Sequence, residues 1–188
     1  PVWDLKGFID DDVTLHGTMR DGYPVVGGCE CLASLPGDIW VSCAVGVPKI
    51  RKIVVEKLKR YSNVKFATLI DPDVFLSNHV EIGEGSIICA GTKITVDVII
   101  GIHAIVNLNC TIGHDTKIGS FVTIYPGVHV SGNVEVGEAT ELGTGMQIIQ
   151  GIRIGKNSIV GAGAVAIRDI PDKCTAVGSP ARPIKFFD

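Results

Sequence analysis

The residues best suited to chemistry form one short segment in the second half of the chain. His114 is followed directly by Asp115 and preceded by Asn107 and Asn109. Histidine is the usual general base near neutral pH, and a neighbouring carboxylate can fix its tautomer and stabilise the imidazolium form. The spacing predicts an acid–base pair that moves a proton. A surface histidine without a catalytic role fits the spacing equally well.

A period of six residues indicates the element that must position His114. From Ile82 onward every sixth residue is aliphatic, and the residue two places earlier is mostly small or β-branched. An amphipathic helix would need apolar spacings of three and four and few glycines, so the pattern excludes it. The repeat predicts short strands separated by regular corners. The aliphatic positions are Ile82, Ile88, Ile94, Ile100, Val106, Ile112, Ile118, Ile124, Val130, Val136, Leu142, Ile148, Ile154, Val160 and Ala166.

Glycines mark the corners of this repeat, because a glycine directly follows many of the aliphatic residues. We expect them to supply the backbone angles of a sharp turn. One subset recurs every eighteen residues, so three hexads make one coil of a three-sided prism. Parallel strands of successive coils would lie about 4.8 Å apart, and the prism would have about five coils. The subset is Gly83, Gly101, Gly119, Gly137 and Gly155.

Composition excludes several classes of function. The chain has 188 residues, of which 46% are hydrophobic, and a formal net charge of −3. No apolar run approaches the roughly 18 residues of a membrane span, and no signal peptide is evident at the start. The negative net charge does not indicate the basic surface that nucleic-acid binding requires. We expect a cytoplasmic protein whose six scattered cysteines stay reduced and bind no metal.

The alternating strand and helix signals of residues 1–70 predict a small α/β unit, whereas residues 71–188 form the predicted prism and its tail. Strands are expected at 5–9, 23–26, 38–44 (buried) and 64–70, and helices at 29–35 and 48–61. A strand, helix and strand in this order suggest a parallel sheet of Rossmann type. In the tail, the proline and glycine of 177–182 should end the coil by denying further strand pairing.

Two segments lie where such a sheet would bind a ligand. Asp10 and Asp11 could accept hydrogen bonds from ribose or sugar hydroxyls. The turn that begins at Gly46, with Arg51, could offer a phosphate N–H groups and positive charge. A solvated acidic turn and an ordinary helix cap account for the two segments about as well.

Several stretches together carry a resemblance to a known family. They are 7–11 (GFIDD), 23–27 (YPVVG), 44–46 (AVG) with Arg51, 107–115 ending in IGHD, 131–133 (SGN), 161–165 (GAGAV) and 178–181 (GSPA). The hexads of about 70–184 resemble those of hexapeptide-repeat acyltransferases. The chain is most similar to bacterial sugar acetyltransferases that join a nucleotide-binding unit to the repeat. These include the N-acetyltransferases of bacillosamine and perosamine biosynthesis and the sialic acid O-acetyltransferases.

The resemblance implies a left-handed parallel β-helix, a homotrimer with sites between subunits, and acetyl-CoA as cosubstrate without a metal. It implies that His114 is the general base, that Asp115 orients it, and that the Gly132 N–H binds the thioester carbonyl. Coenzyme A would contact Gly143, Thr144, Ala162, Gly163 and Arg182, whereas the acceptor would contact Asp10, Asp11, Gly46, Asn107 and Asn109.

The sequence departs from this family at its start. The family's α/β unit opens with a strand and a glycine-rich turn containing histidine, about thirty residues that have no counterpart here. We therefore expect a Rossmann-like unit that is incomplete at its N-terminus. The resemblance leaves open which nucleotide, UDP, GDP or dTDP, carries the sugar.

The resemblance favours acetyl transfer to the amino group of a nucleotide-linked amino-deoxy sugar in surface-glycan synthesis. Sugar O-acetylation and a non-catalytic trimeric scaffold are the alternatives. A covalent route through Cys110 is disfavoured because that residue belongs to the inward small column. His103 and His129 are expected to face outward in surface roles. A zinc hydratase of this fold would need two histidines five residues apart, which the sequence lacks.

Overall fold

The computed structural model describes residues 3–187, so Pro1, Val2 and Asp188 of the two predicted regions lie outside the described chain. Chain contacts divide it into two units, residues 3–41 with 54–65 and residues 42–53 with 66–187. The helix α1 spans Pro48–Leu58, and short 3₁₀ helices span Val13–Leu15 and Cys29–Ser34. The strands are β1 (Phe8–Ile9), β2 (Met19–Arg20), β3 (Tyr23–Gly27), β4 (Ile39–Val41), β5 (Val64–Phe66), β6 (Leu69–Ile70), β7 (Phe75–Leu76), β8 (Val80–Ile82), β9 (Ile87–Ile88), β10 (Lys93–Ile94), β11 (Val98–Ile100), β12 (Ile105–Val106), β13 (Thr111–Ile112), β14 (Lys117–Ile118), β15 (Thr123–Ile124), β16 (His129–Val130), β17 (Glu135–Val136), β18 (Glu141–Leu142), β19 (Gln147–Ile148), β20 (Arg153–Ile154), β21 (Ile159–Val160), β22 (Val165–Ala166), β23 (Cys174–Val177) and β24 (Arg182–Phe186).

The first unit divides its strands between two small sheets. In one sheet β3 pairs parallel with β1 and antiparallel with β2, and in the other β4 pairs with β5. The strand predicted over 38–44 is limited to β4, where Trp40 is exposed rather than buried. The strand predicted over 64–70 divides into β5 and β6. A Rossmann-type arrangement of this unit stays a prediction.

The two predicted helices are both present in altered form. The helix predicted at 29–35 is a 3₁₀ helix over Cys29–Ser34, and the carbonyls of Leu32 and of the C-cap residue Leu35 accept hydrogen bonds from Asn63 Nδ2. Helix α1 begins at Pro48, as the sequence predicted, but ends at Leu58. Its end is early because Tyr61 N–H donates to the Leu58 carbonyl in a tighter i to i−3 turn.

The second unit is a left-handed parallel β-helix built from three sheets. The first sheet contains β6, β9, β12, β15, β18, β21 and β23, the second contains β7, β10, β13, β16, β19 and β22, and the third contains β8, β11, β14, β17 and β20. From β6 to β19, each strand pairs in register with the strand eighteen residues later, as Thr111 does with His129. In the last coil the spacing shortens, and Ile159 pairs with Thr175. Five coils have all three strands, and a sixth closes through a single bridge between Ile154 and Ile170.

The predicted interior is confirmed. Every member of the aliphatic column is buried except Ile82, which is half-buried. The column two residues earlier is also buried, apart from half-buried Val80 and Ile152. Its hydroxyl groups, for example those of Ser86 and Thr92, donate to corner carbonyls of the next coil. The prism axis is therefore filled by aliphatic side chains and satisfied hydroxyls.

The glycines at the corners have a different role from the one predicted. Glycines that follow the aliphatic residues do not have the left-handed backbone. At Gly137, a Cβ atom would lie 2.5 Å from the Lys156 backbone nitrogen of the next coil, so glycine permits the close stacking of coils. The left-handed residues lie two places further along, at every sixth position. They are His79, Gly85, Gly91, Asp97, His103, Asn109, Asp115, Phe121, Gly127, Asn133, Ala139, Gly145, Gly151, Asn157 and Gly163.

The tail also differs from the prediction. Strand pairing does not stop at 177–182, because β24 turns back and pairs antiparallel with β23. Pro183 fits within β24 because this strand lies at the outer edge of the first sheet, where a missing N–H is tolerated. Within residues 3–187, no helix combines the length and hydropathy that a bilayer crossing requires.

The stacking role of the corner glycines gives a stability prediction. Gly137→Ala should lower the free energy of unfolding by about 3 kcal/mol, because its Cβ would overlap the next coil's backbone. Gly127→Ala is the matched control, since φ is +68° but no atom lies within 4 Å of its Cβ position. Its cost should be about 1 kcal/mol. Urea denaturation of both variants checks this, and equal losses would contradict it.

Candidate active site

The three edges of the β-helix provide the frame for the site. We call the corners between the first and second sheets the first edge, those between the second and third sheets the second edge, and those between the third and first sheets the third edge. His114 and Asp115 lie on the second edge, between β13 and β14. Both side chains are exposed, as expected for groups that must meet a substrate.

The predicted acid–base pair is present as a short contact. His114 Nδ1 lies 2.7 Å from Asp115 Oδ2. Because a carboxylate accepts hydrogen bonds, this contact places the proton on Nδ1 and leaves the lone pair of Nε2 available. Asp115 occupies a left-handed corner position, with φ of 57°, which aspartate tolerates better than most residues. The corner conformation thus helps to present the carboxylate to the imidazole.

Gly132 lies one coil after His114 on the same edge. Its position is covered by the imidazole, since a Cβ atom there would lie 2.6 Å from His114 Cε1 and closer still to Nε2. The main chain is fixed on both sides, because Asn133 N–H donates to the His114 carbonyl and the Gly132 carbonyl accepts from Gly151 N–H. Only glycine lets the imidazole lie this close to the backbone of the next coil.

The Gly132 N–H has no hydrogen-bond acceptor among residues 3–187. The same is true of N–H groups at equivalent positions on other corners, such as Ile102. A free main-chain donor is therefore common in this fold. The second edge is distinctive because a histidine paired with a carboxylate lies beside that donor. Such an arrangement can remove a proton and stabilise an oxyanion in one step.

The structure does not bring all of the predicted site residues together within one chain. Six of them lie on the first edge, separated from His114 by the width of the second sheet. Two of these have roles within the coil: Asn107 Nδ2 donates to the Ile124 carbonyl at 3.0 Å, and Asn109 is a left-handed corner residue. The six are Asn107, Asn109, Gly143, Thr144, Ala162 and Gly163.

The predicted acceptor residues of the first unit are already hydrogen bonded. Asp11 accepts from the Cys29 N–H at 3.2 Å and from Lys57 Nζ at 2.7 Å. The Lys57 hydrogen bond lowers the pKa of Asp11. Asp10 accepts from the Asp12 N–H at 2.8 Å. Both carboxylates remain exposed and retain lone pairs that a ligand hydroxyl could use.

Arg51 is not available to a phosphate, which corrects the sequence-based expectation. Its side chain is fully buried, and its N–H groups donate to main-chain carbonyls and to Thr123 Oγ1. The sequence gives little sign of this role for Thr123, which lies in the first sheet between Ile105 of the preceding coil and Glu141 of the next. Arg182 is exposed at the start of β24, as a phosphate contact requires.

The remaining histidine and cysteine expectations have mixed outcomes. His103 does not face outward, because it is buried between the rings of Phe66 and Phe121. His129 is exposed and contacts Thr111 Oγ1 at 2.9 Å. Cys110 is fully buried with Sγ 3.3 Å from the Tyr125 carbonyl, and burial raises the pKa of its thiol. A packing role for Cys110 follows, since a nucleophile needs an accessible thiolate.

Several solved structures are similar to nearly the whole of this chain. WeeI from Acinetobacter baumannii AYE is 34% identical over 95% of this chain and 85% of its own, with a TM-score of 0.88. The acetyltransferase domain of PglB from Neisseria gonorrhoeae, solved with acetyl coenzyme A, is 36% identical over 95% and 85%, with a TM-score of 0.86.

A third similar structure is a histidine-to-asparagine variant of perosamine N-acetyltransferase from Caulobacter crescentus, solved with CoA and GDP-perosamine. It is 33% identical over 95% of this chain and 84% of its own, with a TM-score of 0.89. No protein-family model and no curated protein sequence matches the chain. The identity and coverage of these structures show that the chain belongs to the family of left-handed β-helix nucleotide-sugar N-acetyltransferases.

Proposed function

We propose that the protein transfers an acetyl group from acetyl-CoA to the amino group of a nucleotide-linked amino-deoxy sugar. The observation that carries this proposal is the position of His114, whose Nδ1 contacts a carboxylate and whose imidazole covers Gly132, a residue with an unpaired N–H. Acetyl transfer to an amine needs these two functions, a base and an oxyanion donor, at one place. The bound acetyl-CoA and GDP-perosamine of the similar structures support it.

The mechanism is direct transfer without a covalent enzyme intermediate. The amine nitrogen attacks the thioester carbon while His114 Nε2 accepts its proton, and the carbonyl oxygen becomes an oxyanion that the Gly132 N–H stabilises. The C–S bond then breaks, the carbonyl reforms as an amide, and the thiolate takes the proton from the imidazolium. Asp115 holds the imidazole through Nδ1 and stabilises its charged form.

The remaining predicted residues are proposed to bind either acetyl-CoA or the acceptor. Acetyl-CoA would contact the first-edge residues Gly143, Thr144, Ala162 and Gly163, and Arg182 would contact its phosphates. The acceptor would contact Asp10, Asp11, Gly46, Asn107 and Asn109, with hydroxyls of the nucleotide-sugar donating to the carboxylates. The exposed carboxylates of Asp10 and Asp11 suit the hydroxyls of such a ligand, and the exposed Arg182 suits a phosphate.

We propose a homotrimer with active sites between subunits, acting in the cytoplasm in the synthesis of surface polysaccharide or glycoprotein glycans. The reason is the separation of the first and second edges within one chain. The second edge of one β-helix would face the first edge of its neighbour, and CoA would lie in the groove between them. Threefold symmetry repeats this heterologous contact into a closed ring.

His114→Ala should abolish most of the activity without unfolding the protein. Loss of the general base should lower kcat by about 100-fold or more, whereas the exposed imidazole contributes little to stability. Steady-state assays with acetyl-CoA and UDP-, GDP- and dTDP-linked amino sugars provide the measurement. His129→Ala is the matched control, as an exposed histidine of the second sheet. Undiminished kcat in His114→Ala would refute the mechanism.

Asp115→Asn tests the role of the carboxylate separately from that of the base. Asparagine tolerates the left-handed backbone of position 115, so the corner should remain intact. An amide cannot stabilise the imidazolium as a carboxylate does, and kcat should fall by about tenfold or more. Kinetic assays with unfolding controls measure this. A variant with wild-type kcat would show that Asp115 has no catalytic role.

Subunit mixing tests whether each site uses two chains. His114→Ala lacks the base on the second edge, and Ala162→Trp should block the exposed CoA groove on the first edge. Each variant alone should be inactive. If the two are unfolded together and refolded, about a quarter of the interfaces should combine two intact edges and restore that share of the activity. Mixtures that stay inactive would contradict a shared site.

A further inference from the structure

Arg51 is a buried cation whose donors are all used inside the second unit. Nε donates to the His103 carbonyl at 2.9 Å. Nη1 donates to the carbonyls of Val45 at 2.5 Å and Gly46 at 2.9 Å. Nη2 donates to the Phe121 carbonyl at 2.7 Å, to Thr123 Oγ1 at 2.9 Å and to the Val122 carbonyl at 3.2 Å.

This arrangement has an energetic cost that carbonyl dipoles must offset. No carboxylate among residues 3–187 lies within ion-pair distance of Arg51, and burial lowers the pKa of its guanidinium group. A planar guanidinium can satisfy several carbonyls in a fixed geometry, which a lysine cannot reproduce. A charge buried in this way therefore fixes the positions of the main-chain segments around it.

The segments that Arg51 joins are distant in sequence. On one side is the turn at Val45 and Gly46 before helix α1, and on the other are the corners of the third edge around His103 and Phe121. Thr123 connects the same two sides a second time, because its Oγ1 accepts from Arg51 Nη2 and donates to the Gly46 carbonyl at 2.6 Å. The Gly46 carbonyl is thus held by two independent donors.

A third contact lies on the surface of the same region. Lys52 Nζ donates to Glu138 Oε1 at 2.6 Å and lies 5.6 Å from the centroid of the Phe121 ring. Both partners of this ion pair are about half exposed, so solvent screens it and it adds little. The fixed position of the turn therefore depends on the buried contacts of Arg51 and Thr123.

We propose that Arg51 and Thr123 are positioning residues for the sugar-nucleotide acceptor, acting through the Gly46 turn. The inference rests on the proposed function, in which Gly46 contacts the acceptor and the CoA contacts lie on the first edge. Neither side chain touches the substrate. They hold the turn in a fixed position against the β-helix. A bound nucleotide then presents its sugar amine to the second edge, where the base lies.

Thr123→Val tests this inference, because it removes one hydroxyl and keeps the shape of a buried side chain. Loss of one hydrogen bond to the turn should raise KM for the nucleotide-sugar by about three- to tenfold. The effect should appear in that KM rather than in kcat or in KM for acetyl-CoA. Thr123→Ser, which restores the hydroxyl, should return KM to the wild-type value.

Thr140→Val is the matched control. Thr140 is also fully buried, and its Oγ1 donates to a glycine carbonyl, that of Gly155, at 2.6 Å. It should lower the melting temperature as Thr123→Val does while leaving every KM unchanged. A wild-type KM in Thr123→Val, or an equal rise in Thr140→Val, would overturn the inference while acetyl transfer by the wild type stands. A wild-type protein that acetylates no nucleotide-linked amino sugar would overturn the proposed function and this inference together.

Discussion

The in-register stacking of eighteen-residue coils is the constraint on which the rest of the structure depends. Main-chain hydrogen bonds join each strand to the next coil, as from Gly113 N–H to the Val130 carbonyl at 2.8 Å. Backbones at the corners then approach so closely that a Cβ would not fit at many of them. Because residues eighteen apart must lie one above the other, His114 is placed against Gly132. The packing that builds the fold also creates the geometry of the proposed active site.

The same constraint distributes the functional residues over separate edges. A prism made of two-residue strands has a filled axis, and its reactive groups lie on its outer surface. The proposed base belongs to the second edge, whereas the small residues proposed for the coenzyme groove belong to the first. A second copy of the chain can provide the missing edge without any change in fold. Oligomer formation and catalysis would then have one structural origin.

The sequence predicted the interior well because the period of six directly reports which side chains face the axis. It also predicted the contact between His114 and Asp115, which are neighbours in sequence. It failed for Arg51 and His103, which face away from the axis and yet are fully buried. Arg51 is covered by the turn before α1 and by the third edge, and His103 by the rings of Phe66 and Phe121. No local pattern encodes these long-range contacts. The sequence also predicted that the corner glycines adopt the backbone angles of a turn. Periodicity alone cannot distinguish a residue with a left-handed backbone from one that allows two coils to approach closely.

A crystal structure of the protein with CoA and a nucleotide-linked amino sugar would show directly whether His114 and Gly132 form an active site between two subunits. We expect the CoA sulfur to lie in a groove between two subunits, next to the second edge of one and the first edge of the other. The sugar amine should lie within hydrogen-bond distance of His114 Nε2, with the Gly132 N–H directed at the position of the thioester oxygen. A CoA sulfur or sugar amine bound away from the second edge would contradict it.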